Sequence, residues 1–210
     1  MTTTHEHTRL SADEALGRLL EGNQRFLRGE ARSSAFRRET LTDLAKAQRP
    51  YATVLGCSDS RVPPEWIFDA GLGELFVIRV AGNVFSPEIA GTLQYAGSYL
   101  ETPLFVILGH EGCGAITAAL ATKHEGEQFR SRVQLLLESI LPGLPDFDPT
   151  LSPEEQTSRA VESNVRWTLR QILDSPEGDA RMAERRMKIV GAVYEIETGR
   201  VRILPPDETR

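Results

Sequence analysis

Three short, nearly continuous apolar runs limit what this chain can fold into: "YATVLG" over Tyr51–Gly56, "LFVIRVAG" over Leu75–Gly82 and "LFVILGH" over Leu104–His110. A strand with one wet face alternates apolar and polar residues, whereas a run that is apolar throughout is buried on both faces, as in a parallel sheet. Each run gives way to a helical or turn-rich stretch. Between the second and third, "SPEIAGTLQYAGSYLE" sets Ser86 as N-cap and Pro87 at the first helical position, which predicts a crossover helix. Ser11 with Glu14 and Ser152 with Glu155 stand at capping-box spacing and predict two more helices, "SADEALGRLLEGNQRFLRG" and "SPEEQTSRAVESNVRWTLRQIL". "KIVGAVYEIETGRVRIL" alternates around Thr198 and Gly199 and predicts a strand pair. Together these signals predict an α/β fold: a mostly parallel central β-sheet flanked by helices, with an N-terminal helical arm and a C-terminal edge strand pair.

A chain of 210 residues suits a single domain over 1–210, with 1–10 as a flexible tail. Its 40% hydrophobic and 26% charged residues are those of an ordinary soluble protein. The formal net charge of -6 argues against a nucleic-acid partner, because phosphate binding needs clustered Lys and Arg. The basic runs "RFLRGEARSSAFRR" and "RMAERRMK" read as solvated helix faces. Neither an apolar run of membrane-spanning length nor a secretory leader is present, so the expected location is the cytoplasm, where two cysteines 56 positions apart are expected to be reduced.

Two of the strand-like runs end on cysteine-bearing sequence, "VLGCSDSR" and "LGHEGCGA". In a parallel sheet both ends lie on one edge, which brings Cys57, His110 and Cys113 together at the place where open α/β sheets bind ligands. Two thiolates and an imidazole are zinc ligands, and three protein ligands with a fourth position open is the pattern of catalytic rather than structural zinc. His110 and Cys113 are three apart at a strand-to-helix junction, so one turn aims both at the same point. In extended backbone, residues i, i+2 and i+4 share a side, so Cys57, Asp59 and Arg61 face one way while Ser58 and Ser60 face the other. That sets a carboxylate beside the metal and a guanidinium beside the carboxylate. Taken singly, "HEGC" is a glycine-rich turn and "DSR" a surface ion pair worth little; it is their pairing that points to chemistry.

"CSDSR", followed 49 residues after Arg61 by "HEGC", resembles the signature of the β-class carbonic anhydrases, and the resemblance extends from "AKAQRP" to "GAVYEIETGRV". It implies an enzyme that interconverts carbon dioxide and bicarbonate with one Zn2+ per subunit, built as a homodimer or a multiple of dimers. Cys57, His110 and Cys113 would be the zinc ligands, and Asp59 and Arg61 the catalytic dyad. Gln48 matches the family's substrate-contacting glutamine, and Phe76 and Tyr95 match two pocket aromatics of its plant-like branch; because the family builds its site at a dimer interface, they are expected to serve either this chain's zinc or a partner subunit's. Regulated members carry a tryptophan three residues before the first cysteine, where it forms an inhibitory bicarbonate site. This chain has Val54 there, which implies the unregulated type with Asp59 on Arg61 and water as the fourth ligand. Arg79 matches a residue of the bicarbonate site but is common to both branches.

The resemblance implies that zinc-bound hydroxide attacks carbon dioxide. Thiolate ligands acidify bound water less than three imidazoles do, so an acceptor beside it matters more, and Asp59 suits that role while Arg61 keeps it ionised and off the metal. In a closed state Asp59 itself would become the fourth ligand. Three rivals are a zinc hydrolase of carbon disulfide or carbonyl sulfide on the same site, a non-catalytic structural zinc protein, and a thiol redox protein. His5 and His7 are read as tail residues, His124 as an exposed loop residue, and Trp66 and Trp167 as core or subunit contacts.

Overall fold

The computed structural model of the chain describes residues 10–32, 38–176, 178 and 187–206. The apolar runs become β1 (Ala52–Gly56), β2 (Leu75–Arg79) and β3 (Leu104–His110), and the C-terminal alternation becomes β4 (Lys188–Tyr194) and β5 (Val201–Ile203). They form one sheet in the order β2-β1-β3-β4-β5, parallel throughout except for the last pair. β3 is buried along its whole length, as its unbroken apolar sequence requires.

Seven α-helices lie among the described residues: α1 (Ala12–Leu27), α2 (Arg38–Leu44), α3 (Pro64–Ile67), α4 (Pro87–Tyr95), α5 (Gly114–Leu120), α6 (Arg132–Ile140) and α7 (Pro153–Leu173). Both capping boxes form, Ser11 with Glu14 and Ser152 with Glu155, and Ser86 caps α4 ahead of Pro87. Helix α7 packs on β3 and β4. It comes close because two strand positions facing it are glycines: a Cβ at Gly109 would fall 2.6 Å from Val165 Cγ2, and one at Gly191 would fall 2.9 Å from Val165 Cγ1. Register explains why one valine meets both, since Gly109 and Gly191 lie on adjacent strands two residues out of step and so share a face.

Helix α1 packs on α3 and against β3, and a buried polar residue fixes it there. Asn23 is 1% exposed; its Nδ2 donates to Ile67 O at 3.1 Å and Gly199 O at 2.9 Å, and its Oδ1 accepts from Val201 N at 3.0 Å. One side chain thus joins the first helix, the end of α3 and the β4–β5 turn. Beside it the Asp69 carboxylate takes Arg25 Nε at 2.5 Å and Arg32 Nε at 3.1 Å. Burial by itself would raise the Asp69 pKa; the Arg25 and Arg32 hydrogen bonds outweigh burial and hold it lowered.

The C-terminal strand pair stands at one edge of the sheet as predicted, with β5 outermost and β4, whose "KIVGAV" is apolar, paired on both sides. Some details differ from expectation. Of the two readings of Trp66, core or subunit contact, its 74% exposure removes the first, since α3 is too short to carry its outer face into the core. Trp167 is half-buried and donates to Ser139 O at 3.2 Å. His124 is half-buried too, with Nε2 at 3.3 Å from Pro145 O and its ring edge-on to Phe147. Leu10 packs against the core, whereas residues 1–9, with His5 and His7, and 181–186 of the second basic run lie outside the described residues.

Replacing Asn23 leaves two carbonyls and one amide buried without partners, so Asn23→Ala should lower the unfolding free energy by about 3 kcal/mol. A urea midpoint equal to that of wild type would show that Asn23 is not the pin.

Candidate metal centre

Strand β1 has β2 on one side and β3 on the other, so the chain reverses its order across β1 and opens a crevice beyond the carboxyl ends of β1 and β3. Gly56 is level with Leu108 in the register, which places Cys57 just past the end of β1 and beside the end of β3. His110 closes β3, and Gly112, at φ +58°, turns the chain so that Cys113 becomes the N-cap of α5. The outcome is the expected trio: one ligand atom each from Cys57, His110 and Cys113, all within 4.8 Å of one another and all three residues buried.

Among the described residues this donor set fits a divalent metal on three counts. First, Cys57 Sγ and Cys113 Sγ are 4.0 Å apart and unbridged, close to the separation of about 3.8 Å that two thiolates have on one tetrahedral zinc. Second, His110 is 1% exposed and its Nδ1 lies 2.8 Å from Glu111 O. A carbonyl only accepts, so Nδ1 carries the proton and Nε2 is a bare lone pair, buried without a protein partner. Third, two thiolates and a neutral imidazole carry two negative charges, which a divalent cation neutralises.

The thiols are not equivalent. Cys57 is pulled down to about 4, chiefly by a hydrogen bond from Cys113, against the opposing effect of burial. Cys113 is pushed above the ordinary thiol range by the same hydrogen bond and by burial, and the amides of Ile116 and Ala115 at the start of α5 offset this only in part. Gly82 N–H also donates to Cys57 Sγ, at 3.4 Å.

Asp59 and Arg61 sit at the rim. Arg61 donates three bonds to the Asp59 carboxylate: backbone N and Nε to Oδ1 at 2.9 and 3.0 Å, and Nη2 to Oδ2 at 2.7 Å. These bonds, the side-chain ones foremost, hold the acid well below the usual carboxylate range. Asp59 Oδ2 lies 3.9 Å from His110 Nε2 and is outside the ligand trio. Ser58, Ser60 and Arg61 are all exposed, and Ser60 and Arg61 lie in a turn closed by Val62 N–H on Asp59 O at 3.2 Å, so a turn rather than extended alternation lays Arg61 on Asp59. Two further contacts escape a residue-pattern reading. Arg79, level with Gly56 across the β1–β2 pair, donates through Nε to Cys57 O at 2.9 Å and through Nη2 to Asp59 O, bracing the segment that carries both side chains. Arg61 Nη2 donates to Gly112 O at 3.3 Å, tying the two cysteine loops together. The only sequence sign of the Arg79 brace is a long basic side chain where β2 ends.

The pocket residues fall elsewhere. Phe76 is level with Thr53, four residues upstream of Cys57, or about 13 Å along the strand. Its ring meets Tyr95 at 6.1 Å, Tyr95 stacks on Tyr99 at 5.4 Å, and Tyr95 and Tyr99 are exposed. Gln48 is exposed just before β1. Val54 is fully buried in the sheet, level with Val77 and Val106.

A parallel α/β sheet with a Cys-His-Cys trio at its switch point defines a class of metalloproteins, and comparison with known proteins narrows it. The family model described as carbonic anhydrase matches residues 52–201. The chain is 36% identical over 184 residues to carbonic anhydrase 2 of Mycobacterium tuberculosis, covering 87% of each, and 36% identical over 189 residues to a carbonic anhydrase of Mycolicibacterium smegmatis, covering 88% and 89%. Among solved structures it resembles the β-carbonic anhydrase CcaA, with a TM-score of 0.71 and 28% identity over 90% of this chain and 94% of that one. A Coccomyxa β-carbonic anhydrase in complex with acetazolamide gives a TM-score of 0.71 and 28% identity, covering 90% and 86%. Two tetrameric β-carbonic anhydrases from Sordaria macrospora, represented by one at 24% identity and a TM-score of 0.69 covering 91% and 97%, share the fold. The chain belongs to the β-class carbonic anhydrases and is an enzyme of that class.

In the metal-free protein, ultraviolet thiolate absorbance should show one thiolate per chain by pH 6 and no second one below about pH 9. Two thiols ionising together near their ordinary pKa would contradict the coupling of Cys57 with Cys113.

Proposed function

We propose that this chain hydrates carbon dioxide reversibly to bicarbonate and a proton, with one zinc ion per chain held by Cys57, His110 and Cys113. The observation that carries the reading is the unpartnered, buried Nε2 of His110 facing two free thiols, with an ionised carboxylate 3.9 Å away that does not join them. When bound, zinc at such a site supplies the Lewis acidity that ionises a coordinated water near neutral pH. The chain's own residues do the rest. Asp59 Oδ2 is the acceptor that holds the proton of the reacting water and so aims its oxygen lone pair at the carbon of the substrate. Arg61 occupies both Asp59 oxygens, keeping the carboxylate ionised throughout the working pH range and turned from the ligand trio. The Glu111 carbonyl holds a proton on His110 Nδ1 and orients the ring so that Nε2 faces the two thiols.

Within one chain Phe76 and Tyr95 do not line the crevice, and their rings lie on a face where Tyr95 is 44% and Tyr99 77% exposed. We therefore assign Gln48, Phe76 and Tyr95 to the site of a second copy in a homodimer or a multiple of dimers, a reading that the tetrameric Sordaria macrospora relatives support. Free thiols as metal ligands suit a reducing compartment, which favours the cytoplasm. No helix among the described residues is long and apolar enough to cross a membrane.

Purified protein should contain one zinc per chain and accelerate carbon dioxide hydration in stopped flow; chelation should abolish the rate and added zinc restore it. Metal-loaded protein that hydrates no faster than buffer, or that turns over carbon disulfide or carbonyl sulfide instead, overturns the reading.

Arg61→Ala removes two of the three bonds to Asp59 and raises its pKa toward the ordinary value. The hydration rate should fall by roughly 10²-fold or more at unchanged zinc content. Near wild-type turnover would remove the dyad from the mechanism.

A further inference from the structure

Helix α7 reaches the metal centre through a turn. Between β2 and α4 the chain forms a single turn at Ala81–Asn83, with Gly82 at φ +66°. Gly82 donates its N–H to Cys57 Sγ, and it has little room to move: a Cβ there would lie 2.8 Å from Ile140 Cδ1 and 3.2 Å from Ala115 Cβ. Two residues of α7, four apart and so on one face, take hold of this turn. Asn164 Nδ2 donates to Gly82 O at 2.8 Å, and Thr168 Oγ1 donates to Asn83 O at 3.2 Å. Asn83 N–H is in turn held on Val80 O at 3.0 Å. The peptides on either side of Gly82 share its Cα, so clamping the carbonyl limits where the N–H can point.

The fold keeps this arrangement at a cost. Asn164 is 1% and Asn83 2% exposed, yet Asn164 Oδ1 and Asn83 Nδ2 have no hydrogen-bond partner among the described residues. Buried amide atoms left unpaired destabilise a fold, and an apolar residue of similar shape would avoid that loss. Packing alone therefore does not account for an asparagine at 164.

We infer that Asn164 is a positioning residue for the metal centre: its bond to the Gly82 carbonyl aims the Gly82 N–H at Cys57 Sγ and so sets how strongly that thiolate donates to a bound metal. The inference rests on Cys57 being a metal ligand. An N–H bonded to a thiolate draws charge from the sulfur, and partners of this kind commonly change metal affinity or activity by about 10–100-fold when removed.

The test uses full-length protein loaded with cobalt(II), which reports on thiolate donation through its near-ultraviolet sulfur-to-metal charge-transfer band. In Asn164→Ala the Gly82 N–H is no longer aimed at the sulfur, which becomes richer in charge, so the band should move to longer wavelength. Thr168→Val removes the other α7 bond to the turn without touching Gly82; it should lower Tm and leave the band in place. An Asn164→Ala band at the wild-type position, whatever its Tm, overturns the inference, as does an equal shift in both variants, which would reflect general loosening of α7. If Asn164→Ala does not fold, Asn164→Ser, which leaves a smaller cavity, is read by the same band. Wild-type protein that takes up no cobalt would instead reject the ligand assignment itself.

Discussion

The parallel register between β1 and β3 is the constraint on which the site depends. Gly56 lies opposite Leu108, so the residue that follows β1 and the residue that ends β3 arrive at the same crevice. A slip of two residues would keep the apolar faces inward but carry Cys57 about 6.6 Å away from His110, and a slip of one would turn every side chain over. The register is held by side chains with no tolerance for either change. Val54 against Val106 on one face and Leu55 against Ile107 on the other are all at most 1% exposed, each contributing on the order of 1.5–3 kcal/mol by its burial. The same alignment sets Arg79 level with Gly56, which is why an arginine from a third strand can brace the Cys57–Asp59 segment.

The site combines two kinds of interaction that differ in range. The bond between Asp59 and Arg61 spans two residues and forms within a local turn closed by Val62 N–H on Asp59 O; the sheet only decides what it points at. The meeting of Cys57 with His110 and Cys113 is entirely non-local and exists only once β1 and β3 are paired. Burial then gives each part its character. The thiols and imidazole are enclosed, the two thiols are hydrogen-bonded to each other, and a cation is the natural way to satisfy all three groups. Asp59 and Arg61 stay near solvent, where a carboxylate paired with a guanidinium can remain charged.

Much of this was legible in the residues. Unbroken apolar runs announced buried parallel strands, capping boxes marked where α1 and α7 begin, and the spacing of "CSDSR" and "HEGC" identified both the trio and the family. Less legible were contacts whose partners are remote in the chain and chemically unremarkable. Nothing in "AGN" announces that Gly82 serves a thiolate, or that Asn164, 82 residues later, holds it there. Trp66 reads from the sequence as a core or subunit contact, and the structure excludes only the first, because α3 is one turn long and leaves the ring outside this chain's core.

The sequence by itself determined the chemistry of this protein: which groups can bind a metal, which acid stands beside them and which base restrains it, because these are properties of side chains at short spacing. The tertiary structure decided which of the residues read as one pocket share a crevice. It united Cys57, His110 and Cys113, left Phe76 and Tyr95 on another face, and brought α7 onto the turn that supports Cys57. The reason is that strand order and register, set by burial over the whole sheet, are sums over many weak contacts and are written in no single motif.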